Sequence, residues 1–369
     1  MAIGLALVTT AVVALVVTLS VGGAPWQQPI VIASSPPSAT ASAPAASTGS
    51  PPTSAAPPSA TPYSIRYTSS LLLAAAPSAE SITVYGDQLV IAQVMLGARP
   101  PQSSSQLETL PLSGGSPTVI DGTFRAGGVV VTSVTSGPDG LYVTTVSNSN
   151  LSDNELYRLA GGVHTTIAGG PGSPTTLDGG NGDGGPATKA ALQGPASIAF
   201  GANGEIFIAE YGDGRVRRVD RNGIITTFAG NGTCVGGLTP PTPAPAPRVS
   251  LCGPQLLAAD SAGLLYIARR GSAWIDAVDG NGMLRVFATG VDVDALHLAP
   301  GGELFASESS RGGRLLHYDA QGHSTVVATD LGEIADFAFG PDGTIYVLNW
   351  PPSATIGRVN RITKLSPDR

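Results

Sequence analysis

Charge is scarce in this chain. Charged residues make up 12% of its 369 positions, aromatics 5%, and no charge at all occurs before Arg66. The net charge is −7, and Lys189 and Lys364 are the only lysines. That leaves no basic footprint, which excludes nucleic acid as a partner. Cys234 and Cys252 are the only cysteines; with no histidine nearby they supply too few ligands for a metal. No GxSxG elbow occurs, and neither cysteine sits in a catalytic signature. Long helices are disfavoured as well, because the chain holds 48 Gly and 31 Pro, the two poorest helix formers.

What is present begins with an apolar run. Residues Ala2 to Ala24 carry no charge and are dominated by Ala, Val and Leu. A membrane-spanning helix needs about 20 such residues, so residues 1–25 are expected to form an uncleaved anchor, with a cleaved signal as the alternative. Residues 26–62 are nearly all Ser, Pro, Ala and Thr. They cannot bury a core and are expected to form a disordered spacer. Both cysteines lie in one Pro- and Gly-rich insertion. If the chain is exported, a disulfide Cys234–Cys252 is expected; otherwise two separate thiols remain.

From about Tyr63 the sequence repeats itself. GPASIAFGANGEIFIAEYGDGRVRRVDRNGIITTFAG, GPQLLAADSAGLLYIARRGSAWIDAVDGNGMLRVFATG and VDALHLAPGGELFASESSRGGRLLHYDAQGHSTVVATD share one order of short apolar runs and glycine turns. Alternating β-rich runs joined by tight turns are antiparallel hairpins. The first turn of each unit falls at Gly140, Gly204, Gly263, Gly302 and Gly343. Where no insertion intervenes the step is about 40 residues, the size of a four-stranded propeller blade. With a weaker unit before these, residues 63–369 are expected to form an all-β, six-bladed propeller. The last unit lacks a fourth strand, and an orphan strand lies near Tyr63 to Leu73. That strand is expected to complete the sixth blade and close the ring.

At these residues the chain resembles the NHL repeat family. The resemblance is sharpest in LQGPASIAFGANGEIFIAEYGDGRVRRVDRNGIITTFAGNG, and NGDGGPATKAALQGP resembles a loop of bacterial NHL propellers. Other units keep the turns and lose side chains. Trp274 stands where Arg215 stands, whereas Arg314 and Arg358 keep the Arg. An apolar span, a Pro-rich stalk and such a propeller are together similar to the extracellular sensor half of bacterial membrane serine/threonine kinases. No kinase motif occurs, so the resemblance implies a sensor without the kinase.

The two faces of such a ring differ. Turns between first and second strands, and between third and fourth, are uniformly tight. The other connections carry every long insertion: near residue 100, at 170–193, at 231–252 and near residue 352. Long loops on one rigid face are where binding resides. On that face Tyr211, Arg269, Arg270, Trp274 and Trp350 are candidate binding residues, because aromatics and Arg anchor interfaces. Asp178 and Asp183 in LDGGNGDGG weakly suggest a calcium loop, but the spacing does not match one. His164, His297, His317 and His323 do not recur at one equivalent position, so no ring of metal ligands is expected. His297 alone falls in an innermost strand, where other units place Ala199 and Ala338. Asp294, His297 and Asp336 are the only candidates for chemistry near the axis.

These observations give an expected function. The chain would be a membrane-tethered, extracytoplasmic, monomeric and non-enzymatic module, free of cofactor and metal. It would hold a protein, peptide or glycan of the cell envelope on its loop-rich face. The alternative is a metal-dependent hydrolase or lyase acting near the central channel, and the alternative location is secretion after cleavage.

Overall fold

The runs Leu89–Ala92, Ile206–Ala209, Leu265–Ala268 and Ile345–Leu348 are continuously apolar. Successive side chains of a strand point to opposite faces, so each run needs an apolar neighbour on both sides. A computed structural model supplies both. It describes residues 65–76, 78–96, 103–121, 129–147, 154–170, 181–234, 243–269, 272–350 and 360–368. These residues lie in one unit, Ser59–Arg369, and form six antiparallel sheets arranged as a six-bladed propeller. The expected anchor at 1–25 and spacer at 26–62 lie outside the described residues. Among the described residues, no helix is long and apolar enough to cross a membrane.

Blades one to six, in chain order, begin with the strands Ala79–Tyr85, Val129–Gly137, Pro195–Phe200, Leu256–Ala259, Ala295–Leu298 and Glu333–Phe339, and six apolar clusters hold the ring, one at each blade boundary. Leu89 and Ile91 join the cluster shared with blade six, while Val90 and Ala92 join the one shared with blade two. In blade three, Phe207 and Ala209 face blade four and Ile208 faces blade two. In blade five, Phe305 faces blade six while Leu304 and Ala306 face blade four. Burying a whole side chain of this kind stabilises by roughly 1.5–3 kcal/mol. Every blade contributes to two interfaces, so the ring stands or falls as a unit.

The orphan strand closes the ring as expected. Tyr67–Ala76 pairs with Asn360–Pro367, with Tyr67 opposite Pro367 and Ser70 opposite Lys364. Blade six therefore joins both ends of the described chain, and its apolar boundary with blade one includes Ala76, Ala79, Ala335, Leu348 and Ile362. One feature departs from four strands per blade. Ala244–Pro245, from the cysteine insertion, adds a short fifth strand to the outer edge of blade four.

Tight turns between third and fourth strands of blades three, four and five use one device. Asp220 accepts the N–H groups of Asn222 and Ile224 through one oxygen, and Asp279 and Asp319 repeat the pattern. Three residues after each aspartate stands a glycine at positive φ: Gly223, Gly282 and Gly322. Asp side chains initiate such turns and glycine alone enters left-handed φ cheaply.

Cys234 and Cys252 form a disulfide, with Cα atoms 4.5 Å apart across a separation of 18 residues. On the chain-entropy account a loop of this size contributes about 3 kcal/mol. Replacing both cysteines with Ala is expected to lower the urea midpoint accordingly. Reductant should reproduce that loss in the parent and leave the double variant unchanged.

Candidate functional site

Six inner strands surround the axis: Ala79–Tyr85, Val129–Gly137, Pro195–Phe200, Leu256–Ala259, Ala295–Leu298 and Glu333–Phe339. Between them lies a cavity of about 350 Å³, lined by Glu80, Val130, Ala196, Gln255 and Ala295 among others. These residues sit at or near the starts of their strands. The cavity therefore opens toward the connections that carry the long insertions. A second cavity of about 210 Å³ lies at the other ends, beside Val84, Ser136, Leu298 and Phe339. His297 lines both cavities.

A small irregularity places the site. Inner strands of blades one, two, three and six each shift register once, at Ala79/Ser81, Val131/Ser133, Pro195/Ser197 and Ile334/Asp336. Such a bulge re-aims the side chain that follows it. The residue after the bulge is Ser81, Ser133, Ser197 and, in blade six, Asp336. In blade one it stitches blades together: Ser81 Oγ accepts the N–H of Val134 in blade two at 3.3 Å. Asp336 makes the same stitch one blade earlier, its Oδ2 accepting the N–H of Ile82 at 3.0 Å. A serine has one oxygen to give, whereas a carboxylate has two. The spare Oδ1 of Asp336 lies 2.6 Å from Nε2 of His297 and also accepts the N–H of Phe337 at 2.9 Å.

The imidazole is oriented on two sides. Asp336 holds its Nε2, and Phe337 packs edge-on at 4.9 Å between ring centroids. The His297 side chain keeps 40% of its surface open to the channel, while Asp336 keeps 9%. Burial acts to raise the pKa of Asp336. Its contacts with His297, the Ile82 N–H and the Ser81 hydroxyl outweigh burial and hold it below the ordinary carboxylate value. Asp336 thus stays ionised and accepts from Nε2 of His297, so that Nδ1 is the ring nitrogen not held by the carboxylate. Asp294, the third axial candidate, is spent elsewhere, accepting the Ser309 N–H at 2.6 Å.

The donor set does not fit a metal ion. Among the described residues, no three His, Cys, Asp or Glu side chains come together to hold one. Both oxygens of Asp336 are taken by N–H donors. Asp183, half of the suggested calcium loop, pairs at 2.6 Å with Arg217; Asp178 lies outside the described residues. The other histidines stand apart. His164 is 3.3 Å from Glu155, His323 is 3.0 Å from Asp319, and His317 packs edge-on against Phe305.

The loop-face candidates separate into groups. Tyr211 is 57% exposed and lies against Gly253, beside the disulfide. Arg269 stacks over the Trp274 ring at 4.8 Å and reaches the Cys252 carbonyl at 3.5 Å. Tyr211, Arg269 and Trp274 thus gather round one disulfide, although Trp274 itself is buried. Trp350 lies elsewhere, packed on the cluster between blades six and one. Arg270 is outside the described residues.

Blades three and four carry a charge swap at equivalent positions. In blade three, buried Glu210 lies 3.1 Å from buried Arg217. In blade four the same places hold Arg269 and Asp276. Asp276 accepts the Trp274 indole N–H at 3.3 Å through Oδ2, while its Oδ1 is buried without a hydrogen bond. Burial pushes its pKa up to about 7, against the opposing pull of Trp274 and Arg269. The folded state therefore keeps a proton that the unfolded chain sheds near 3.8. Stability falls as pH rises from about 4 to about 7, then levels off. Asp276→Asn is expected to raise Tm at pH 8 by several degrees and to leave it unchanged near pH 3, as read by calorimetry.

Comparison with known proteins fits this geometry. The family model described as "Teneurin NHL domain" matches residues 163–246. That stretch and the six-bladed ring fit an NHL-repeat propeller. A search of curated proteins finds no match. Among solved structures, a streptogramin B lyase is 13% identical with a TM-score of 0.50, over 82% of this chain and 98% of that one. A calcium-binding regucalcin from Agrobacterium tumefaciens is 15% identical with a TM-score of 0.54, over 82% and 94%. A gluconolactonase from Xanthomonas campestris is 15% identical with a TM-score of 0.52, over 82% and 90%. At these identities they share the fold. Two of the three are enzymes by name, which corrects the expectation of a chain without catalysis.

Proposed function

We propose that this chain is a hydrolase or lyase whose general base is His297, working in the central cavity. One observation carries the reading: an imidazole held by a buried carboxylate at 2.6 Å, in the wall of a 350 Å³ cavity. With Asp336 on Nε2, Nδ1 can take a proton from water as it attacks a carbonyl and return that proton to the departing alkoxide. It can equally take one from the carbon next to a carbonyl, the C–H electrons forming a double bond as the β-substituent leaves and accepts the proton. A positioned base of this kind contributes about 10²–10⁴-fold. Among the described residues the titratable groups of the cavity wall are Glu80, His297 and Asp336. An anion would meet these acidic groups, so the substrate is a small uncharged compound with an apolar portion. Apolar contacts come from Val131, Ile198, Leu257 and Leu296. The lyase and the gluconolactonase named above share this fold and accord with the reading.

The direct test is a panel of uncharged esters and lactones with parent and His297→Ala protein. A pH-stat follows hydrolysis and ultraviolet absorbance follows elimination. Turnover by the parent and its loss in the variant are expected; equal rates in both would remove His297 from the reaction.

The loop face supports a second role beside this one. Tyr211 and Arg269, the latter stacked on the buried Trp274 ring and held at the Cys252 carbonyl, form an anchor for an envelope protein, peptide or glycan. The disulfide suits an oxidising compartment, and the apolar residues 1–25 would hold the ring outside the cell. Substituting Tyr211 and Arg269 with Ala should abolish recovery of a partner from envelope extract. Undiminished recovery removes this role.

A further inference from the structure

A third cavity, of about 320 Å³, opens on the loop face between blades four and five. Its wall includes Ala273 of blade four, Gly290 and Asp292 of the connection that follows, and Glu308, Ser310 and Arg311 of blade five. Glu308 is 1% exposed. It matches Glu210 of blade three, since each ends a second strand and stands opposite the arginine that opens the third, Arg314 or Arg215. In blade three both carboxylate oxygens are filled. Oε2 of Glu210 receives Arg217 at 3.1 Å, and Oε1 receives the N–H of Gln193, from the 170–193 insertion, at 2.8 Å. Blade five has no such insertion before it. Oε2 of Glu308 receives Nε of Arg314 at 2.9 Å, and Nη2 as well. Oε1 has the Ser310 hydroxyl at 3.4 Å and Nε of Arg311 at 3.7 Å. Both exceed the range of about 2.5–3.2 Å for well-made bonds. A buried carboxylate oxygen in the cavity wall therefore has room for a donor that blade three draws from its own chain.

We propose that this cavity binds a free α-amino acid with a neutral side chain. Its ammonium donates to Glu308 Oε1 and to Asp292, and its carboxylate accepts from Arg311. The site is separate from the axial cavity and does not depend on the reading of His297. Charge selects this occupant. Arg314 offsets Glu308, so Asp292 and Arg311 remain in the wall, one of each sign. A plain cation would be opposed by Arg311, and a plain anion would meet Asp292 and Glu308. A zwitterion answers both signs, and an ammonium brings three donors to the two carboxylates. The Arg311 side chain keeps 61% of its surface in solvent and can turn from Glu308 to a ligand. Space is available as well: a Cβ at Gly290 would meet no atom within 4 Å, and the volume lies at the small end of ligand sites.

The test titrates the full chain with alanine, leucine, glutamine and phenylalanine by calorimetry, up to about 10 mM, where even a millimolar site fills. Saturable binding of at least one is expected. The amide of that amino acid lacks the carboxylate, and its N-acetyl form lacks the ammonium. Each should bind about tenfold more weakly, the worth of a hydrogen bond to a charged group. Arg311→Ala should weaken the free amino acid by a similar factor and leave the amide unaffected. Asp292→Asn should weaken the free amino acid and leave the N-acetyl form unaffected. Neither change touches the buried Glu308–Arg314 pair, and circular dichroism would verify the fold. No saturable binding of any of the four overturns the proposal. So does an amide that binds as tightly as the amino acid, since the cavity would then take any amine. Unchanged affinity in both the Arg311→Ala and Asp292→Asn proteins would put the ligand elsewhere and overturn the site.

Discussion

His297→Gln is expected to lower turnover of whichever uncharged ester or lactone the parent accepts by about 10²–10⁴-fold, the span of a positioned general base. The fall should appear in kcat more than in KM. Glutamine preserves bulk and can still donate to Asp336, so the cavity keeps its shape while losing the lone pair that takes the proton. Asp336→Asn should reduce turnover by a similar factor for a different reason. Its amide nitrogen cannot accept from Nε2, and the tautomer with a free Nδ1 loses its support. Stability should separate the two variants. Asp336 also stitches blade six to blade one through the Ile82 N–H, so Asp336→Asn is expected to lower Tm and His297→Gln to leave it nearly unchanged. Equal turnover in parent and His297→Gln protein would sink the assignment of the base.

The largest loss of stability is expected at Arg217. Its side chain is fully buried, yet it carries a charge. Three acceptors make this tolerable: Glu210 at 3.1 Å, Asp183 at 2.6 Å and the Asn181 carbonyl at 3.0 Å. Two of these belong to the insertion before blade three, so one guanidinium ties that loop to the ring. Arg217→Ala leaves the Glu210 carboxylate buried without its cation. Breaking a buried pair in this way costs about 3–5 kcal/mol, to be read from urea denaturation. The double variant Glu210→Gln, Arg217→Met should recover much of the loss, since no charge is then stranded. A single-variant cost below about 1 kcal/mol would mean that the pair behaves like an exposed one.

Much of this ring was legible in the sequence, because propellers announce themselves through period and punctuation. Glycine turns at Gly204, Gly263 and Gly302 marked the blades. The missing fourth strand of the last unit pointed to the orphan strand near Tyr63 to Leu73, which the structure places at Tyr67–Ala76. The disulfide followed from two cysteines sharing one insertion. The axial chemistry was half legible. His297 and Asp336 stood out as candidates, but no spacing rule joins residues 39 positions apart in different blades. The usable signal was departure from the repeat: Asp336 replaces the serine of Ser81, Ser133 and Ser197, and His297 replaces the alanine of Ala199 and Ala338. Trp274 was misleading for the opposite reason. Standing in place of the polar Arg215, it read as an exposed anchor, whereas the Asp276 carboxylate and the Arg269 guanidinium give it a buried niche.

The seam sets an order of events. Tyr67–Ala76 leaves the ribosome early and Asn360–Pro367 late, and neither has its partner until the other exists. Contacts of such long sequence separation form slowly. The Asp336 to Ile82 hydrogen bond spans the same boundary, so the carboxylate that would orient His297 is aligned only once the two ends have met. Five finished blades would be a stack without a working base. Chemistry would switch on at closure, making the clasp of the ring a checkpoint on its own completeness.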